Sequence, residues 1–369
     1  MNKIKKVPFL DLSASYLEIQ EELEAAILDS CRSGQYVGGS MVEGFEREFS
    51  NFVDSRYCVG VGNGLDALVL SLKVLGIKHG DEVIVPSNTF IATWLAVSQC
   101  GAIPIPVEPD IHTCNINVKN IETAITNKTK AIIPVHLYGQ PADMDEITNI
   151  AKKYKLVVIE DAAQAHGSEY KAKRIGSHSD LVTWSFYPGK NLGAMGDGGA
   201  ITTNNKDLAL NLISMRNYGS SERYKHDELG INSRLDPVQA SILSVKLKYL
   251  DEWNKRREDI ANIYSNELSI LDLTLPFVEK YNKSVWHLFC IRSINRDEIR
   301  NKLMELGVDT LIHYPTPPHM QKAYNYLSFN ENDFPISKAM SSELISLPIG
   351  PSLNNEQQEY VVNCLKQIL

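Results

Sequence analysis

No apolar run in the chain approaches the ~20 residues that a membrane-crossing helix requires. The N-terminal stretch MNKIKKVPFLDLSASY carries lysines but no apolar segment of signal-peptide length behind them, which predicts a cytoplasmic protein. Cysteine is sparse. Cys31, Cys58, Cys100, Cys114, Cys290 and Cys364 are scattered with no C-x-x-C pair, which argues against a disulfide framework or a zinc knuckle. The nine histidines never fall in H-E-x-x-H spacing, so no metal enzyme is expected. Positive charge is also in deficit. With 37 Lys and Arg against 45 Asp and Glu, the net charge of −8 excludes the dense basic face that general nucleic-acid binding needs. It leaves room for an anion held by a local cluster of arginines and amides. Neither internal repeats nor low-complexity tracts are present.

What the chain does contain is an ordinary globular composition, 43% hydrophobic and 22% charged, at a length sufficient for a large domain plus a smaller one. Between residues 60 and 205 short apolar runs alternate with segments of helical spacing. CVGVG precedes LDALVLSLKVLG, EVIVP precedes TFIATWLAVSQCG, and IPIPVEP, KAIIPVHLYG, MDEITNIAKKYK and KLVVIED follow. DLVTWSF and GAITTN supply two more strands. Continuous apolar strands separated by helices predict an α/β fold with a mostly parallel, helix-covered sheet of seven strands. From DPVQASILSVKLKYLDEWNKRREDIANIYSNEL onward the pattern becomes one long amphipathic helical stretch. It leads to a smaller α+β region in which VWHLFCIRS reads as a strand and RDEIRNKLMELG as a helix. The expected division is 1–245 and 246–369.

Three stretches carry chemistry. GVGNGLDAL is a glycine turn opening a helix, but Leu65 stands where a dinucleotide fingerprint needs glycine. Asn63, Gly64 and Leu65 would still present free N–H groups that favour an anion, although a plain strand–helix turn has the same sequence. In VVIEDAAQAH, Asp161 ends an apolar strand, where open parallel sheets place ligands. A carboxylate there could bind a metal, orient a histidine, neutralise a cationic ring or merely cap the next element; Gln164 and His166 follow it. SFYPGKNLGAMGDGGAI holds Lys190 in a glycine-rich loop. Asn191 follows the lysine where a P-loop requires Ser or Thr, so the nucleotide-hydrolysis reading fails. A lysine near an anion-binding turn and a strand-end aspartate suits a Schiff base with pyridoxal phosphate, whose ring nitrogen pairs with a carboxylate.

NGLDALVLSL, PSNTFIATWLA, EDAAQAHG, SFYPGKNLGAMGDGGAITTN, MRNYG and INSRLDPVQASIL, in that order, resemble the DegT/DnrJ/EryC1/StrS sugar aminotransferases, which are fold-type-I pyridoxal-phosphate enzymes. The likeness runs over essentially the whole chain. It implies that Lys190 makes the covalent link to the cofactor, Asp161 pairs with the ring nitrogen and Gln164 meets the phenolic oxygen. Phe90 would stack on the ring, and Gly64, Leu65 and Ser185 would bind the phosphate. Asn232 would reach the phosphate from the neighbouring subunit of a homodimer. The family's dehydratase-type members carry histidine in place of the lysine, so Lys190 favours transamination. LIHYPTPPHMQKAY resembles members acting on the 3-keto group of dTDP-linked 6-deoxyhexoses, with L-glutamate as amino donor and pyridoxamine phosphate as the alternate cofactor form. Tyr187, Tyr218, His313, Tyr314 and His319 are candidate substrate contacts or packed side chains. Arg216, Arg223 and Arg234 are candidates for the diphosphate or ordinary ion-paired arginines. A 4-keto-sugar or cyclitol aminotransferase, or a non-catalytic regulator keeping fold and cofactor, are the alternatives.

Overall fold

The structure, a computed structural model, describes residues 6–369; the N-terminal lysines Lys3 and Lys5 lie outside the described residues. Seven strands form the central sheet: β1 (Tyr57–Val61), β2 (Glu82–Pro86), β3 (Ile103–Val107), β4 (Thr129–Ile132), β5 (Val157–Asp161), β6 (Leu181–Ser185) and β7 (Gly199–Thr203). Their spatial order is β1-β7-β6-β5-β4-β2-β3. The run from β3 through β2, β4 and β5 to β6 is parallel, and β7 alone runs antiparallel to its neighbours β6 and β1.

The period of two along each strand sorts side chains between two apolar layers. Ile84, Ile132, Val158, Val182 and Trp184 point to one face, where Phe45 and Phe49 from helix Ser40–Phe52 cover them. Val83, Val85, Ala131, Ile133 and Ile159 point to the other, against Leu68, Leu72, Trp94 and Val97 of helices Gly64–Val74 and Ile91–Gln99. Both faces being covered is why these strands read as continuous apolar runs rather than alternating ones.

The expected single helical stretch after residue 236 is two helices, Pro237–Leu247 and Leu250–Glu267, separated at Lys248 and Tyr249. The break lets Leu243 and Leu250 serve the sheet-side core while Ile260, Ala261 and Tyr264 enter a separate one. That second core is completed by β8 (Phe289–Arg292) and β9 (Leu344–Leu347), an antiparallel pair, with helices Arg296–Glu305 and Asn355–Ile368. Val7 joins this same core and bridges Val308, so the start of the described chain packs with its C-terminal third. Among the described residues no helix is long and apolar enough to cross a membrane. All six cysteines are unpaired.

Candidate active site

The carboxyl ends of the parallel strands and the loops after them surround a cavity of about 650 Å³, within the size range of small-molecule sites. Asp161 ends β5 on its wall and Ser185 ends β6; the loop from Tyr187 to Lys190 lies alongside, held by the Lys190 N–H on the Tyr187 carbonyl at 2.9 Å. Gly193 lets this loop fold on itself, because a Cβ there would meet the Pro188 carbonyl oxygen at 2.4 Å.

Asp161 is 6% exposed. Its Oδ2 accepts the Thr93 hydroxyl at 3.0 Å and its Oδ1 accepts the Ala163 N–H at 3.2 Å. Burial raises its carboxyl above the usual range, and those two hydrogen bonds together with the positive charge of Lys190 oppose the rise. Lys190 is half-buried on the cavity wall. Loss of solvent around its amine lowers it from 10.5 to about 8, with the Asp161 carboxylate opposing the drop. Each of the two groups lacks full solvation for its charged form, which is the environment of a tuned site rather than of surface charges.

At the other edge, Asn63 caps helix Gly64–Val74, its Oδ1 accepting the Asp66 N–H at 2.9 Å. The N–H groups of Gly64 and Leu65 donate to no group among the described residues, and both residues face the cavity. A Cβ on Gly64 would stand 2.7 Å from the Ser185 Cβ, so only glycine lets the helix end approach the serine this closely.

Gln164 is buried, its Oε1 accepting the Tyr138 N–H at 2.6 Å and its Nε2 donating to the Tyr314 hydroxyl at 3.0 Å. Phe90 lies on the wall, half exposed, with its ring 5.2 Å from that of Tyr314. His313 also lines the cavity, its Nδ1 2.8 Å from the Ser346 hydroxyl; burial, reinforced by Lys190, lowers it to about 4, so it is neutral at physiological pH. Tyr187 is exposed at the mouth.

The remaining sequence candidates do not reach the cavity of their own chain. Arg216 is committed to Glu46 at 2.5 Å and to the Gly60 carbonyl at 2.6 Å. Arg234 donates to Asn217 at 2.8 Å and lies over the Tyr218 ring, while Arg223 sits beside Tyr224 on an exposed hairpin. His319 is 3% exposed and packs against Phe334 at 4.9 Å. His166 is buried among Trp184 and Phe186, where burial lowers it to about 3. Asn232 is exposed, although its neighbour Ser233 binds the glycine turn through the Gly62 N–H at 2.9 Å and Asp66 at 2.6 Å.

Sequence reasoning missed Thr93, Tyr138, His287 and Arg257, all of which build or line the site. For Thr93 and Arg257 a signal existed: each is a polar residue at the helical spacing of buried apolar neighbours.

A buried carboxylate and a desolvated lysine at the strand ends of a seven-stranded mixed α/β sheet are the working parts of an aminotransferase. The chain belongs to the DegT/DnrJ/EryC1/StrS aminotransferase family, which matches residues 17–366. It is 51% identical over 361 residues to dTDP-3-amino-3,6-dideoxy-alpha-D-galactopyranose transaminase of Aneurinibacillus thermoaerophilus, covering 98% of this chain and 99% of that one. It is 48% identical over 361 residues, with the same coverage, to the erythromycin biosynthesis sensory transduction protein EryC1 of Saccharopolyspora erythraea. The crystal structure of S. venezuelae DesV in complex with a ketimine intermediate superimposes with a TM-score of 0.97 at 46% identity, over 99% of this chain and 98% of that chain.

Proposed function

We propose that the protein is a pyridoxal-phosphate-dependent aminotransferase that moves the amino group of L-glutamate to the C3 keto carbon of a dTDP-linked keto-6-deoxyhexose, yielding 2-oxoglutarate and the 3-amino sugar. The observation that carries this reading is the pairing of a lysine lowered to about 8 with a buried carboxylate in one cavity. The name of the Aneurinibacillus thermoaerophilus relative supports the choice of C3 and of a dTDP sugar.

The residues fit the cofactor. Asp161, buried with two hydrogen bonds and no contact cation, would hold the proton of the ring nitrogen. Gly64, Leu65 and Ser185 would hold the phosphate, Phe90 and Gln164 the ring and its oxygen, and Lys190 the aldehyde carbon. When bound, the cofactor supplies an electron-withdrawing ring that stabilises negative charge at the donor α-carbon. The Lys190 amine would take the proton from that carbon as a general base and, in the second half-reaction, would deliver a proton to C3 of the sugar. Its lowered basicity keeps a useful neutral fraction near pH 7.5. His313 and Tyr314 would contact the hexose and Tyr187 the nucleotide side of the mouth.

Asn232, exposed and away from its own cavity, would complete the phosphate site of the other subunit in a homodimer. The division near residue 245 is also our reading, supported by the separate core that takes in Ile260, Ala261 and Tyr264 of helix Leu250–Glu267. Six unpaired cysteines support a cytoplasmic setting. Incubation of the loaded enzyme with L-glutamate and either the 3-keto or the 4-keto dTDP-6-deoxyhexose, followed by mass spectrometry, is expected to yield an amino sugar from the 3-keto compound. Amination of only the 4-keto sugar overturns the regiochemistry, and amination of neither overturns the activity.

A further inference from the structure

Helix Leu250–Glu267 buries Leu250, Trp253, Arg257, Ile260, Ala261 and Tyr264. Five of these are apolar or aromatic, and the helical register carries one cation into their midst. Arg257 is 3% exposed. Burial lowers its guanidinium to about 10, which leaves it charged at neutral pH.

The neighbouring Arg256 is more exposed and is neutralised by Glu18 at 2.8 Å and Glu252 at 2.5 Å. Arg257 has no such partner. Among the described residues no carboxylate pairs with it, and its contacts are three backbone carbonyls, of Trp286 and His287 at 3.3 Å and Ile349 at 3.2 Å, all accepting from Nη1. Its Nε and Nη2 donate to no described group. Those two nitrogens form one edge of the planar fork, the edge that matches both oxygens of a carboxylate.

Arg257 lines the cavity that holds Lys190 and Asp161. His287, which also lines the cavity, provides no counter-ion. Asn191 donates its amide to Asn254 at 2.8 Å and to the Val285 carbonyl at 2.9 Å, so its oxygen faces His287 Nδ1 at 3.1 Å and the imidazole carries its proton there. Burial, with the charges of Lys190 and Arg257, holds His287 far below its ordinary value, so it is neutral. The cavity thus has a fixed positive charge with an open bidentate edge, and neither carboxylate that lines it, Asp161 or Asp197, pairs with that charge.

We propose that Arg257 is the recognition residue for a carboxylate of the amino-acid donor. This assignment rests on the aminotransferase reading above, in which glutamate is the only substrate that bears a carboxylate. The cofactor phosphate has its own cradle at Gly64, Leu65 and Ser185. The nucleotide side of the sugar substrate is assigned to the mouth of the cavity, at the exposed Tyr187.

The test uses the pyridoxal-phosphate-loaded enzyme and its Arg257→Lys and Arg257→Gln variants. Glutarate, a dicarboxylate with no amine to react, is titrated into each by calorimetry. Wild type is expected to bind it, Arg257→Gln to bind at least about tenfold more weakly, and Arg257→Lys, which keeps the charge but loses the fork, to fall between. In single-turnover half-reactions the KM for L-glutamate rises by a similar factor, while amination of the keto-sugar by the pyridoxamine-phosphate form stays within about twofold. Three results overturn the assignment: no glutarate binding by wild type, equal affinity in all three proteins, or an equal fall in both half-reactions. If glutarate binding depends on Arg257 but no keto-sugar is aminated, the substrate reading fails and the carboxylate site stands.

Discussion

Lys190 and Asp161 hold opposite charges in a wall that solvates neither well, and each changes the other's protonation. Burial disfavours the ammonium and the Asp161 carboxylate restores part of it, leaving the amine at about 8. The neutral amine is the form that attacks an aldehyde, so in the cofactor-free chain the neutral fraction climbs from about a tenth at pH 7 to about nine-tenths at pH 9. The rate of pyridoxal-phosphate capture, followed by stopped-flow absorbance, is therefore expected to rise with pH and reach half its maximum near pH 8, well short of the 10.5 of an ordinary lysine. Asp161→Asn removes the charge that raises the amine, so the midpoint should move to lower pH. The same variant no longer holds the ring-nitrogen proton, and turnover should drop at least about 100-fold. A midpoint that stays put or moves upward in Asp161→Asn would show that the two groups do not interact.

At the scale of elements, the site depends on how closely helix Gly64–Val74 approaches the end of β6. Gly64→Ala places a Cβ 2.7 Å from the Ser185 Cβ and 3.2 Å from its Cα. Backbone on one side and a strand terminus on the other leave little room to yield, so a stability loss of ~1–3 kcal/mol is expected by denaturant titration. Cofactor affinity should fall more than stability does, because the helix end and Ser185 are wedged apart at the phosphate; unchanged affinity would remove this turn from the site. These features were legible in the sequence because they are local. A glycine turn before a helix, an acid at a strand end and a lysine in a glycine-rich loop are each signalled within about a dozen residues. The contacts of Thr93 with Asp161, Tyr138 with Gln164 and Arg257 with the Ile349 carbonyl were not, since each joins residues 26 to 92 positions apart, although helical spacing marked Thr93 and Arg257 as polar residues among buried apolar ones. Nor did helical periodicity reveal the break at Lys248 and Tyr249, on either side of which Leu243 and Leu250 enter the same sheet-side core. Arg216 illustrates the converse: as a cation near a phosphate motif it invited a ligand role, but Glu46, 170 residues away, takes its charge.

Across the whole molecule, the placement of Asn232 has a consequence for assembly. Ser233 ties this segment to the glycine turn of its own chain, yet the preceding side chain, Asn232, faces solvent beside the Asn217 bridge. If Asn232 serves a second subunit, each cavity of a homodimer takes Lys190 from one chain and Asn232 from the other. Mixed dimers then separate the possibilities. Lys190→Ala is inactive by itself, and Asn232→Ala should lower cofactor affinity about tenfold, so that the second protein is largely empty at limiting cofactor. In a heterodimer of the two variants, one cavity combines the intact Lys190 of the Asn232→Ala chain with the intact Asn232 of the Lys190→Ala chain. The other cavity carries both lesions. Co-expression with two affinity tags, purification of the mixed species and titration with pyridoxal phosphate should therefore recover one wild-type-affinity site per dimer, with about half of wild-type turnover at limiting cofactor. If Asn232 acted within its own chain, each cavity would keep one lesion and no wild-type site would return. The same preparation reports assembly directly, since a chain that stays monomeric gives no doubly tagged species.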